Sequence, residues 1–355
     1  MKVTLRLNIL YFLLIVIIVI TFSLIGISYF ALDSTLIKSA KKSLSLGAGK
    51  ASEQLGRYLQ PLSDRTQITA SLISSGTITP NANASFANYL YDFIADEPSI
   101  DAAYYADNSG NFYLLQKTQD HGFINRNIVQ TNGNGKNIVN IYSPKMELTN
   151  TSESPGAFIE PQKQIWYTES LNKKHNIWFT FPLIHQGPGY TELGIASVIP
   201  VFDKAGNALG VFGIDTILST LSPYIKNIDT SANSIVLIVD DLGRVMSAVS
   251  AKMDLVAGNR MRTVAELNIP WVQTSFNIFS QTHQDSFSFA VKNKRYFAVF
   301  EKVPNIKSEH QWFVAVVSPN DDIKLPLRMA ILMSLIAVSG IVVIVLVTWK
   351  SKDPT

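Results

Sequence analysis

Two long stretches of this chain carry no charge, and they limit what everything between them can be. Residues 7–32 contain no Asp, Glu, Lys, Arg or His, and residues 15–20 are an unbroken run of Ile and Val. Residues 329–349 are likewise uncharged and end on Trp349. A helix needs ~20 apolar residues to cross the hydrocarbon core, and an indole at its end suits the headgroup layer. A cleaved signal peptide has a shorter apolar core of about 7–15 residues and a small-residue cleavage site. The sequence Tyr29-Phe30-Ala31-Leu32 is a poor one. The expectation is two membrane-spanning helices, 7–32 and 329–349, with cytoplasmic stubs at 1–6 and 350–355.

Lys2 and Arg6 precede the first run, and Lys350 and Lys352 follow the second. Cytoplasmic ends satisfy the positive-inside rule, although Lys38, Lys41, Lys42 and Lys50 stand on the other side of the first run. The expected location is the inner (plasma) membrane, with residues 33–328 periplasmic or extracellular. The composition agrees: 47% of residues are hydrophobic and only 16% charged, against about 25% charged in a typical soluble protein. A net charge of +3 gives no field for nucleic acid. There is no cysteine, which removes disulfides, thiolate metal sites and cysteine nucleophiles together.

Between the runs, residues 33–75 read as a stalk helix. Leu36, Ala40, Leu44, Ala48, Ala51, Leu55, Leu59, Leu62 and Ile68 recur at threes and fours, against Gly47, Gly49, Gly56 and Pro61, which weaken the pattern locally. Residues 74–85 are a loop, and 86–95 a short helix. Three segments then share one plan, strand, Asp-and-Gly turn, strand: 102–115 around Asp107 and Gly110, 196–213 around Asp203 and Gly206, and 235–249 around Asp241 and Gly243. Aspartate caps such a turn through its own backbone and glycine takes the positive φ. Residues 216–227 read as helix or turn, and residues 295–300 and 311–317 as two further strands. The fold class expected is α+β: a long N-terminal helix and two antiparallel-sheet modules.

No chemistry motif emerges. The histidines at 121, 175, 185, 283 and 310 form no metal-ligand pair, and there is no nucleophile elbow, phosphate loop or dinucleotide fingerprint. Residues 132–137, Asn-Gly-Asn-Gly-Lys-Asn, read as a solvated loop. The chain is expected to be no enzyme and to need no cofactor or metal. What stands out is an aromatic and polar cluster between 164 and 215: Gln164, Trp166, Tyr167, Trp178, Tyr190, Thr191 and Asp215. Trp and Tyr offer apolar faces with a polar tip, and a carboxylate facing an aromatic cage holds a cation. The competing reading makes these residues core and Asp215 the N-cap of a helix at 217–221.

These residues also carry a resemblance. Residues 191–215, Thr-Glu-Leu-Gly-Ile-Ala-Ser-Val-Ile-Pro-Val-Phe-Asp-Lys-Ala-Gly-Asn-Ala-Leu-Gly-Val-Phe-Gly-Ile-Asp, resemble the strand, Pro-Val, Asp-x-x-Gly, Gly-Val-x-Gly-x-Asp stretch of double Cache domains. These are the extracytoplasmic sensors of many bacterial chemoreceptors, histidine kinases and nucleotide cyclases. Trp166-Tyr167 resembles the family's Arg-x-Trp-Tyr element, and residues 312–319 its ending. The resemblance covers about 33–325. It implies a membrane-distal PAS-like ligand-binding module (76–225) and a membrane-proximal PAS-like one (226–325). It also implies a homodimer and a cytoplasmic effector, either missing from this sequence or supplied by a separate partner. In amino-acid-binding members a tyrosine and an arginine upstream of Trp-Tyr hold the carboxylate, and the aspartate after Gly-Val-x-Gly holds the ammonium. Trp166, Tyr167, Tyr190 and Asp215 match by position, but the arginine position is Gln164 and the tyrosine position Ile159. Without a guanidinium the bidentate carboxylate clamp is lost, so the expected ligand is an amine, another small cation or a neutral polar molecule. The other function class kept open is a structural or assembly protein whose periplasmic domain binds another protein.

Overall fold

The computed structural model describes residues 2–184 and 191–322, apart from short gaps, and isolated positions from 329 to 343. Most side chains of residues 1–36 are outside that description. Helix α1 (Lys2–Ser74) has 73 residues, roughly 110 Å at 1.5 Å per residue. Its backbone includes all of 7–32. Among the described residues no helix is long and apolar enough to cross a membrane; both expected spans rest largely on side chains outside the description.

From residue 44 on, α1 buries one stripe: Leu44, Ala48, Ala51, Leu55, Leu59, Leu62, Thr66, Ala70 and Ile73. Ile68, expected on it, is 60% exposed, because the buried face at that turn is taken by Thr66, Thr69 and Ala70. Two of the three glycines that weaken the helical pattern, Gly47 and Gly56, sit where the helix is approached closely, while Gly49 faces open space. A Cβ on Gly56 would lie 2.8 Å from the Pro304 carbonyl oxygen. Pro61 stands inside the helix and removes one backbone hydrogen bond there.

Helix α2 (Ala84–Ile94) is capped by Asn83, whose side chain accepts the Phe86 amide at 3.1 Å. A large sheet follows, from β1 (Ala102–Asp107), β2 (Phe112–Lys117), β3 (Phe123–Thr131), β4 (Asn134–Tyr142) and β5 (Leu148–Pro155). After α3 (Ile165–Lys173) it is completed by β6 (Ile177–Ile184), β7 (Thr191–Phe202) and β8 (Ala208–Ile217). The strand order is β5-β4-β3-β2-β1-β8-β7-β6, so the first and last strands meet at the centre. A short α4 (Ser222–Lys226) leads to the second sheet. That sheet comprises β9 (Ile235–Asp240) and β10 (Val245–Val249), and after them come a small pair, β11 (Val256–Ala257) and β12 (Arg260–Met261), and α5 (Pro270–Thr282). It is completed by β13 (Ser286–Val291), β14 (Lys294–Lys302) and β15 (Trp312–Pro319), in the order β10-β9-β15-β14-β13.

The three expected hairpins form, with one turn chemistry repeated. The carboxylate of Asp107 accepts the amides of Ser109 and Asn111, that of Asp203 the amides of Ala205 and Asn207, and that of Asp240 the amides of Leu242 and Arg244. In the third hairpin the capping residue is therefore Asp240, not Asp241. Gly110, Gly206 and Gly243 take positive φ. Residues 132–137 are not simply a loop: 134–137 already belong to β4, paired with β3. The β3–β5 ladder escapes a hydrophobic reading because β5 is exposed along its whole length.

Helices α1 and α2 cover one face of the large sheet with a continuous apolar cluster that extends over one face of the small sheet. Helix α5 covers the small sheet's other face. The side chain of Ser52 on α1 reaches the Lys302 carbonyl at 2.6 Å, and that of Ser63 reaches Asn176 at 2.9 Å. The N-terminal part of the described helix thus serves the small sheet and its end serves the large one. The sheets also meet directly. Residues 307–308 lie along the open edge of β6, where the Trp178 amide donates to Lys307 at 3.0 Å and the Ser308 hydroxyl donates to the Trp178 carbonyl at 3.0 Å. The Trp178 and Trp312 rings pack edge to face with centroids 6.2 Å apart.

Candidate functional site

The large sheet's other face, turned away from α1, holds the candidate site. Strand alternation places Tyr104, Phe112, Val198 and Val211 on it, and α3 lays Tyr167 and part of Trp166 over them. The register runs Ala102–Asp215–Ala196 across β1, β8 and β7. Asp215 therefore stands between two alanines, with Gly213 two residues before it on the same face. No large side chain from β1 or β7 therefore stands directly beside this carboxylate in the register.

Asp215 is 6% exposed. The Tyr104 hydroxyl donates a hydrogen bond to its carboxyl group, yet Oδ1 is buried with no hydrogen-bond partner among the described residues. A buried carboxylate oxygen left unpaired costs about 1–3 kcal/mol. Burial first, and the charge of Asp101 second, hold this carboxyl well above the usual carboxylate range. Asp101 is itself buried and accepts from Gln116 at 3.0 Å. Burial likewise pushes the Tyr104 phenol well up, so it stays a donor. The Trp166 ring stands 5.3 Å from Tyr104 at 68° and 6.4 Å from Phe112. Aromatic rings therefore stand on one side of this carboxyl group.

Of the residues expected to form the site, Trp166, Tyr167 and Asp215 come to this one face. Trp178 does not. It projects from β6 to the α1 side and packs on Trp312, because Ile177 and Phe179 take the site face. Gln164 is the N-terminal flank of α3, its Nε2 donating to the Glu160 carbonyl at 3.3 Å. With Trp166, Trp178, Arg244, His310 and Trp312 it lines a separate cavity of about 280 Å³ between the sheets. Tyr190 and the side chain of Thr191 lie outside the described residues. Nor is Asp215 a helix N-cap: β8 runs on to Ile217, and the 3-10 turn begins at Leu218. Tyr104 carries no sequence signal of its own, since β1 is buried on both faces, and Asp101 stands just before that strand.

Tyr104 reaches Asp215 because β8 offers no side chain at Gly213. A Cβ there would lie 2.5 Å from the Tyr104 ring. Gly213→Ala is expected to swing the ring off Asp215 and to cost about 1–3 kcal/mol of stability, as overpacking does. Urea unfolding checks the cost, and unchanged stability would mean that the ring is loosely held.

No protein-family model matches the sequence, and comparison with curated proteins gives no match. Solved structures do match. The ligand-binding domain of the Campylobacter jejuni chemoreceptor Tlp3, in complex with L-valine, superposes with a TM-score of 0.54 at 12% identity, covering 82% of this chain and 97% of that one. The ligand-binding domain of the Pseudomonas fluorescens chemoreceptor CtaA, in complex with L-isoleucine, gives 0.51 at 15% identity, covering 83% and 98%. Two antiparallel sheets strung on one long helix are the double Cache fold of these bacterial sensory domains.

Proposed function

We propose that this chain is a membrane-anchored extracytoplasmic sensor, not an enzyme, and that a small ligand bearing an amine sits against Asp215. The observation that carries the reading is the buried, unpartnered Oδ1 of Asp215 beneath the Trp166–Tyr104 wall. An ammonium supplies the missing donors and compensates the buried charge. The aromatic faces add cation–π attraction. The matched chemoreceptor domains are solved in complex with L-valine and L-isoleucine, which supports an amino-bearing ligand at Asp215 as well.

In this reading residues 76–225 form the distal, ligand-binding module and 226–325 the proximal one. The uncharged runs 7–32 and 329–349 anchor the chain, with both ends cytoplasmic. Helix α1 is the element common to both sheets and the membrane run, and so the route by which binding reaches a cytoplasmic effector. A homodimer would place two such helices side by side. Calorimetry of the full chain in nanodiscs tests the ligand class, with n-pentylamine, pentanol and pentanoate titrated in parallel. The amine should bind measurably more tightly than the other two. Tighter binding of pentanoate would sink the cation site.

A further inference from the structure

One end of the small sheet carries a cluster of cations, and contacts with α1 fix its height. The Lys41 ammonium donates to the Ser288 hydroxyl at 2.6 Å and stands 4.8 Å from the centre of the Phe297 ring. Further along α1, the Ser52 hydroxyl donates to the Lys302 carbonyl. From 41 to 52 the helix rises roughly 16 Å at 1.5 Å per residue, and from 297 to 302 the strand advances about the same at ~3.3 Å. β14 therefore climbs beside α1 nearly in step with it. Three residues back from Phe297, Lys294 comes level with roughly residue 34 of the helix, just past the uncharged run 7–32. The register sets Pro319 opposite Tyr296, so β15 leaves the sheet at this same end, ahead of the uncharged run 329–349. The hairpin joining β13 to β14 thus points to the end from which both uncharged runs issue.

Lys292, Lys294 and Arg295 crowd that hairpin tip. All three are exposed, and none makes an ion pair among the described residues. Lys38 and Lys42, exposed on α1 beside Lys41, extend the patch. The described carboxylates at the foot of β15 are Asp321 and Asp322, and the second accepts from Ser231 and Asn233. Behind the tip, half-buried Trp271 at the start of α5 stacks on Tyr296 with centroids 5.1 Å apart. Clustered cations beside a half-exposed indole suit the charged headgroup layer of a bilayer.

We propose that this hairpin tip rests on the outer surface of the membrane, with Lys292, Lys294 and Arg295 on anionic phospholipid headgroups. This rests on the membrane-anchored reading above and is independent of the ligand at Asp215. Each cation near an anionic surface is worth about fivefold in a binding equilibrium, so three together give on the order of a hundredfold. β13 is the outer strand of its sheet. The contact therefore lies to one side of α1 and resists rocking of the small sheet about the helix.

The chain has no cysteine, so a single introduced one carries a fluorophore cleanly. Ala290→Cys, exposed near the end of β13, reports the tip. Gln281→Cys is the control, exposed on α5 two residues past Phe279, which stacks on Phe300 at the sheet's far end. The labelled full chain is placed in nanodiscs of phosphatidylcholine, with or without phosphatidylglycerol, each carrying a headgroup nitroxide as quencher. Quenching at 290 should be several-fold stronger with phosphatidylglycerol, fall at high salt, and be absent at 281. Lys292→Gln, Lys294→Gln and Arg295→Gln combined should remove the phosphatidylglycerol dependence, with folding checked by thermal unfolding. Should that variant not fold, the salt dependence of the unsubstituted tip carries the test. Equal quenching in both lipids, or none at 290, overturns the proposal and leaves the anchor standing. Shielding of 290 from dissolved iodide without quenching by the lipid nitroxide assigns the tip to a second copy of the chain and also overturns it. If alkaline carbonate releases the chain from liposomes, the anchored reading fails and this proposal fails with it.

Discussion

Asp215→Asn is expected to weaken n-pentylamine binding by roughly ten- to a hundredfold while leaving the fold at least as stable at pH 7. The first figure follows from losing a charge-assisted hydrogen bond, about 1.5–3 kcal/mol, at ~1.4 kcal/mol per tenfold. The second follows from the raised carboxyl pKa, against about 3.9 in an unfolded chain. A raised native value means that the folded protein holds this proton more tightly than the unfolded one. That contribution is fully present below the unfolded pKa and is lost as pH rises through the folded value. The asparagine variant has no such proton to lose, so its stability should stay flatter over that window. Binding has the opposite sign. An ammonium favours the ionised carboxylate, so wild-type affinity should rise with pH through the raised pKa, with net proton release. Calorimetry in two buffers of different ionisation enthalpy reads that proton directly. Equal affinities in the two proteins, or no proton released, would take Asp215 out of the site.

Trp178→Ala should produce the largest stability loss, about 3–5 kcal/mol, as for a buried aromatic cut to a methyl group. The ring is 2% exposed and packs on Trp312, itself 1% exposed. Because Trp178 faces away from Asp215, the affinity of the folded variant for pentylamine should stay within about twofold. Urea unfolding measures the first quantity and calorimetry the second. A tenfold loss of affinity with little loss of stability would return Trp178 to the ligand.

What could be read from the residues, and what could not, divides on a physical line. The Asp-and-Gly turns are local, so 107–110 and 203–206 were legible from their own chemistry, and the third turn was legible apart from its capping residue, which is Asp240 and not the neighbouring Asp241. The long helix was legible because one stripe of α1 stays buried over eight turns. Sidedness was not legible in strands buried on both faces. Nothing in the run Ala102–Asp107 says that Tyr104 faces the site while Tyr105 faces α1. The same ambiguity grouped Trp178 with residues that β6 turns to the opposite face. Polar β5, exposed throughout, gave no period at all. In each case the deciding information is a register with a partner strand, which a single segment does not contain.

Pro61 gives the long helix a mechanical character that its length alone would not. It lies between Gly56, against which Pro304 of the small-sheet side packs, and Ser63, bonded to Asn176 beside the large sheet. Its ring nitrogen cannot return the hydrogen bond that the Arg57 carbonyl would otherwise receive. The helix is therefore softest against bending where it passes from one sheet to the other. A rod jointed at that height lets each sheet carry its own half of the helix, so that a tilt of one half need not bend the other.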